Sequence, residues 1–214
     1  MTDGGIGAGT VNTQRMLESL GRADTIPGIT KLRRKEALWN DMPSPPSIDA
    51  SLDEKIKYIK ERKEKEAEVK AKVQEIDNSA VIPVEHPGLK IHVCSLVAPD
   101  SEANNWMPVY IHSKLMIIND VFTTHGSANI NTRSMQVDSE MNIAHCNAPV
   151  TKKMRKRLWN LHTNNLGGQD DPEIAFDYWN DLIKKNQALK DSGSSPKASV
   201  VPFMYSKNKL SDLD

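Results

Sequence analysis

The stretch VYIHSKLMIINDVFTTHGSANINTRSMQVDSEMNI, residues 109–143, decides how this chain is read. Its first part, YIHSKLMII, is rich in β-branched and aliphatic residues and has no breaker, which predicts a buried strand. Side chains alternate across a strand, so His112 and Lys114 are expected on one face, with Ile111, Leu115 and Ile117 on the other. A second strand is expected from Val121 to Thr124. It ends at Gly126-Ser127, where glycine lets the backbone turn closely around a ligand. The residues after Asn129 predict a short helix whose first amides favour an anion. A strand from Glu140 to His145 then returns to the sheet. An imidazole, an ammonium, a hydroxyl and a carboxamide converging on one strand end suit a phosphate, whereas the Glu140 carboxylate suits the imidazole.

The spacing of these residues resembles the signature of the phospholipase D superfamily: His112-x-Lys114, then Gly126-Ser127-x-Asn129, then Glu140. The run GSANINTRSM followed by D-S-E is similar to its phospholipid-cleaving members, and to bacterial phospholipase effectors delivered by type VI secretion. Two departures stand out. Asn119 occupies the place of the motif's aspartate, with Asp120 one residue later, and the chain carries one such motif where most members carry two.

The resemblance implies an α/β/α sandwich with a mixed sheet, of which this chain supplies one catalytic half. It implies hydrolysis of a glycerophospholipid to phosphatidate and headgroup through a phosphohistidine. Lys114 and Asn129 hold the non-bridging oxygens, Ser127 assists, Gly126 permits the close approach, and Glu140 orients His112. Positioned acid–base catalysis supplies only about 10²–10⁴-fold, so covalent catalysis and charge stabilisation carry the rest. No metal or other cofactor is required. One imidazole cannot stand on both sides of one phosphorus, so a second catalytic half is expected from a homodimer or a companion chain. The alternatives are a superfamily nuclease, a cardiolipin synthase-like phosphatidyltransferase and an inactive half-enzyme.

Around this centre the chain is polar for its length, with 38% hydrophobic and 5% aromatic residues and a mean hydropathy of −0.54. That suggests exposed segments or a missing partner surface. Lys+Arg and Asp+Glu both total 28, so no global charge pulls the chain to nucleic acid. Cys94 and Cys146, each on an expected strand, read as buried thiols. No apolar run approaches a transmembrane helix, and the N-terminus lacks the pattern of a signal peptide. Cytoplasmic residence or signal-independent secretion follows as the expectation.

Residues 1–50 read as an irregular segment ending in the proline-rich MPSPPSID, with a short helix at Asn12–Leu20 and a turn and second short helix within DTIPGITKLRRKEALWN. GGIGAG has no strand before it and is not read as a nucleotide loop. The irregularity and low apolar content favour a companion chain as the missing half. Residues 51–79 predict a charged helix opened by a Ser51/Glu54 capping box. Residues 80–190 form the expected catalytic half. Trp106 within it meets a lipid or headgroup, or anchors its loop on the sheet. His125, His145 and Cys146 lack the spacing of a structural zinc site. Thr151 to Leu161 predicts a helix whose Lys152, Lys153, Arg155, Lys156 and Arg157 form either a solvated face or a contact for anionic membrane headgroups. Residues 191–214 read as a tail, in which VVPFMYS is a short strand or docking segment.

Overall fold

The computed structural model describes residues 8–204. They fall into two compact units, residues 8–89 and 90–204. Gly4 to Gly7 of the glycine-rich stretch and the expected tail beyond Met204 lie outside the described residues.

The first unit is helical: α1 (Ala8–Ser19), α2 (Pro27–Asn40) and α3 (Leu52–Asn78), with a 3₁₀ turn at Ala23–Thr25. Among the described residues before Ser51, the expected irregularity is therefore confined largely to the proline-rich linker. Gly21, with φ of 71°, ends the α1 region, and a Cβ there would overlap the Val84 carbonyl that lies against it. Pro27 opens α2, where its missing N–H costs nothing. Leu17, Ile26 and Val69 are buried, and Thr30 donates to Ala23 O at 2.9 Å. Ser51 and Glu54 form the complete capping box at the start of α3. That helix packs on α2, with Lys35–Asp77 at 2.7 Å and Lys65–Asp41 at 3.3 Å.

The second unit holds β1 (Cys94–Leu96), β2 (Lys114–Ile118), β3 (Phe122–Gly126), α4 (Thr132–Gln136), β4 (Asn142–His145), α5 (Ala148–Thr163), α6 (Pro172–Asp191) and β5 (Val200–Pro202). Helices and strands mix as expected, but the expected mixed sheet is absent among the described residues. There are two small antiparallel sheets, β1-β5 and β2-β3-β4. The turn between β2 and β3 explains part of this. Asn119 and Asp120 have φ of 51° and 55°, and Val121 N–H donates to Ile118 O at 3.0 Å, so the chain reverses in a type I′ turn.

The core of this unit is Leu182, Ala198 and Val200, packed against Cys94, Leu96, Trp179 and Ile183. The segment expected to be a tail is thus part of the core. Asn186 is fully buried; its amide donates to Ala198 O (3.0 Å) and Val200 O (2.6 Å) and accepts from Lys197 N–H (2.9 Å). Thr123 and Thr151 hydroxyls meet at 2.8 Å and fasten α5 to β3. Trp159 and Trp179 pack edge to face at 5.6 Å, and Gly167 lacks the Cβ that would strike the Trp179 ring. Both cysteines are free thiols; Cys146 is exposed just beyond β4, against the expectation of burial.

The candidate phosphodiester site

The three-stranded sheet brings the separated pieces of the motif to one end. Lys114, the first residue of β2, lies opposite Gly126, the last of β3. Gly126 in turn lies opposite Asn142, the first of β4. A Cβ on Gly126 would overlap Met141 O and Asn142, so only glycine lets β3 and β4 close at this end. Ser127 continues the ladder: its amide donates to Met141 O at 3.0 Å, and its hydroxyl accepts from Met141 N–H at 3.0 Å. The Ala128 amide donates to the Asn142 side chain at 3.2 Å. Asn131 caps α4 by accepting from Ser134 N–H at 2.8 Å. A pocket of about 260 Å³ at this sheet end is lined by Lys114, Asn129 and Asn142, among others.

Glu140 lies just before β4 and does not take the expected role against His112. It accepts hydrogen bonds from the Ser127 and Ser134 hydroxyls, which hold its carboxyl below the usual range; Lys114 and Arg133 add to the effect. Ser127 has Met141 O as a second acceptor at a longer 3.4 Å. The carboxylate therefore braces the Gly126-Ser127 turn and the start of α4.

His112 is placed differently from Lys114. The strand begins only at Lys114, and Tyr110 to Ser113 form an exposed, extended lead-in. The expected burial of this stretch is not found: Tyr110 is 84% and Ile111 52% exposed. The lysine ammonium turns back and donates to His112 O at 2.6 Å. His112 lines a separate groove of about 1000 Å³, shared with Asp120, Arg155, Trp159 and His162. Half-burial in that groove pushes the His162 pKa down. Thus Lys114, Gly126, Ser127, Asn129 and Glu140 gather at one sheet end, while His112 lines the neighbouring groove.

Trp106, Asn119 and Asp120 each have a defined place. Trp106 is half-buried and its indole N–H donates to Ser194 O at 2.9 Å, so it anchors its loop. Asn119 is a turn residue at the opposite end of β2 from Lys114, and it lines the same groove as His112. Asp120 forms a two-point ion pair with Arg155, Nε–Oδ1 2.6 Å and Nη2–Oδ2 2.8 Å, and Arg155 also donates to Gln169 O and Asp170 O. Its guanidinium lies 4.5 Å from the Trp159 ring centre. This withdraws Arg155 from the expected basic face. Arg155 is buried, and Lys152 and Lys156 both pair with Asp170, at 3.5 and 2.7 Å. Arg155 and Asn142 are the residues that sequence reasoning missed. The available signals were Trp159 four residues after Arg155 on one helix face, and Asn142 at the first position of the returning strand.

A family model described as cardiolipin synthase, PLD-like domain, matches residues 52–162. Phospholipase D alpha 4 of Arabidopsis thaliana is 38% identical over 79 residues, covering 34% of this chain and 10% of that protein. The chain thus spans about a tenth of the length of the curated relative it matches. No solved structure matches. With more than half of its residues matched by the family model, this chain belongs to the PLD-like domain family.

Proposed function

We propose that this chain carries one catalytic motif of a phospholipase D-type phosphodiesterase that hydrolyses a glycerophospholipid to phosphatidate and free headgroup. The observation that carries this reading is the strand register that aligns Lys114, Gly126 and Asn142 in one row, with Asn129 in the same pocket. In that pocket Lys114 and Asn129 bind the non-bridging phosphate oxygens, and the Ser127 turn, braced by Glu140, holds the third side. His112 supplies one imidazole; a second comes from outside this chain's motif. An apolar rim of Ile130, Met135, Val137 and Met141, each at least 68% exposed, supports contact with a membrane surface. Among the described residues no helix is long and apolar enough to cross a membrane.

The family description favours a second reading, transfer of the phosphatidyl group to a lipid alcohol instead of water. Incubating the protein with phosphatidylglycerol vesicles and resolving the products by mass spectrometry separates the two. Phosphatidate with free glycerol supports hydrolysis, and cardiolipin supports transfer. Cleavage of DNA with neither lipid product would replace both by the nuclease reading. Delivery as a bacterial effector belongs to the same proposal, and its test is release of the protein from the producing cell without a cleaved leader.

A further inference from the structure

The start of α3 carries a second apolar face, which the core of the helical unit does not use. The face that packs holds the buried Val69 and the half-buried Tyr58, Val73 and Ile76, and beside them Lys65 reaches Asp41 at 3.3 Å. At about 3.6 residues per turn, Leu52, Ile56 and Ile59 share another face, about 120° round the helix. They are 73%, 56% and 64% exposed, and Ile48, just ahead of the Ser51 cap, is 91% exposed. The Lys55 ammonium donates to Ile48 O at 2.8 Å and so holds that residue beside the helix. The stripe then stops, because the next positions in its row are Lys63, Glu66 and Lys70.

Cations border this face. Lys55 and Arg62 run along one side, Lys60 along the other, and Lys63 closes the far end. The carboxylates of these turns are occupied or lie elsewhere. Glu54 accepts from Ser51 N–H at 2.8 Å in the cap, Glu61 pairs with Lys57 at 3.8 Å, and Asp53 and Glu64 fall beyond the Lys60 border. Lysines elsewhere on α3 find carboxylates: Lys57 takes Glu61, Lys65 takes Asp41 and Glu68, Lys70 takes Glu66, and Lys72 takes Glu68. Among the described residues, Lys60 and Lys63 have no such partner. The cations left unpaired are thus the ones that edge the exposed apolar stripe.

We propose that this face lays the start of α3 along the surface of an anionic membrane. Ile48, Leu52, Ile56 and Ile59 enter the boundary between headgroups and acyl chains. The lysines cover the edge of that boundary with their long stems and place their ammonium groups among the phosphates. A second copy fits this face poorly, since docking stripe on stripe would bring cation against cation. An acidic helix would satisfy the charge, but the stripe covers only about two turns, short of the 3–4 heptads or so that a paired-helix seam needs. A lipid surface needs no matching row of knobs and holes. The face belongs to the helical unit, uses none of the site's residues, and holds whether or not the chain cleaves a phosphodiester.

The test uses the full chain carrying His112→Ala, so that no lipid is consumed during the measurement. Cosedimentation with vesicles of phosphatidylcholine and phosphatidylglycerol in equal parts should show binding that vesicles of phosphatidylcholine alone do not. Ile56→Gln with Ile59→Gln should lower the affinity about a hundredfold. Lys60→Gln with Lys63→Gln should lower it about thirtyfold. That second pair leaves the apolar residues in place, so it reads the face even if circular dichroism shows that the first pair disturbs α3. Lys57→Gln with Lys72→Gln removes the same charge from the carboxylate-paired side. It should cost no more than about threefold, because the helix is about 10–12 Å across and the attraction fades within a Debye length of about 8 Å. Equal losses for the two lysine pairs would show diffuse attraction and overturn the inference. So would failure to bind the anionic vesicles, or full binding by both the isoleucine and the Lys60/Lys63 variants. A dimer in light scattering that Ile56→Gln with Ile59→Gln splits into monomers would seat a second copy on this face and overturn it as well. Vesicle binding lost as expected in the variants, by a wild-type protein that cleaves no lipid, would uphold the surface and defeat the phosphodiesterase reading instead.

Discussion

Arg155 grips Asp120 through two hydrogen bonds and so ties the β2–β3 turn to the middle of α5. The two side chains are 4% and 21% exposed. The Arg155 hydrogen bonds hold the Asp120 carboxyl below the usual range against the opposing cost of burial. Breaking a buried pair by removing one partner costs about 3–5 kcal/mol, a large part of a stability of about 5–15 kcal/mol. Arg155→Ala should therefore lower the urea midpoint sharply and loosen the sheet that carries the site. Equilibrium denaturation checks it.

The same pair sets a pH dependence. Its folded-state pKa is depressed, so the unfolded chain binds the proton first. The stabilisation is complete above the ordinary aspartate range of about 3.9 and fades as pH falls through the lower folded value. Asp120→Asn should flatten stability across that acid window and leave the slope at neutral pH unchanged. Urea titrations at a series of acid pH values measure this.

His112→Ala should remove phosphodiester cleavage while leaving the fold intact. The side chain is exposed, and exposed substitutions away from special features usually stay within about 0.5 kcal/mol. The measurement is headgroup release from phospholipid and hydrolysis of bis-(p-nitrophenyl) phosphate, beside a melting curve.

Asn119→Asp should change stability and turnover little, because both residues tolerate the left-handed conformation that the turn demands. Asn119→Val should cost about 1–3 kcal/mol, because a β-branched residue resists positive φ. A calorimetric melt of the two variants makes the comparison. A large gain in turnover for Asn119→Asp would show that the missing motif aspartate had weakened the site.

Gly126→Ala should destabilise by about 1–3 kcal/mol, the usual range for overpacking, since the added methyl has no room against Met141 O and Asn142. Glu140→Gln is milder: the backbone amides of Gly126 and Ser127 should lose the chemical-shift titration that the depressed Glu140 carboxyl produces at acid pH in the wild type. Two-dimensional NMR of labelled protein shows it.

What the sequence made legible was local. Ser51 with Glu54 announced the α3 cap, and the run YIHSKLMII contains β2. What it hid depends on partners far along the chain. The aliphatic run around His112 read as buried, yet burial needs a neighbouring strand that this unit does not provide. Arg155 was indistinguishable from four neighbouring cations, and only the Asp120 turn selects it for burial. GSSPKAS had the composition of a tail, but the Asn186 amide reaches its backbone from α6 and makes it core. Asn119-Asp120 reads as an altered motif position in sequence, and only the fold shows both residues in the left-handed conformation of a turn.

The pairing of β1 with β5 joins Cys94 to Pro202, about a hundred residues later in the chain. At a synthesis rate of about 5–20 residues per second, β1 waits roughly 5–20 s on the ribosome before its partner strand exists. In that interval the helical unit is already complete, while Leu96 and Cys94 have neither Val200 beside them nor Leu182 behind them. The nascent chain thus exposes the edge of β1 and the open edge before Lys114 together, and it is in this window, before β5 closes the core, that misassembly or capture by a chaperone competes with folding.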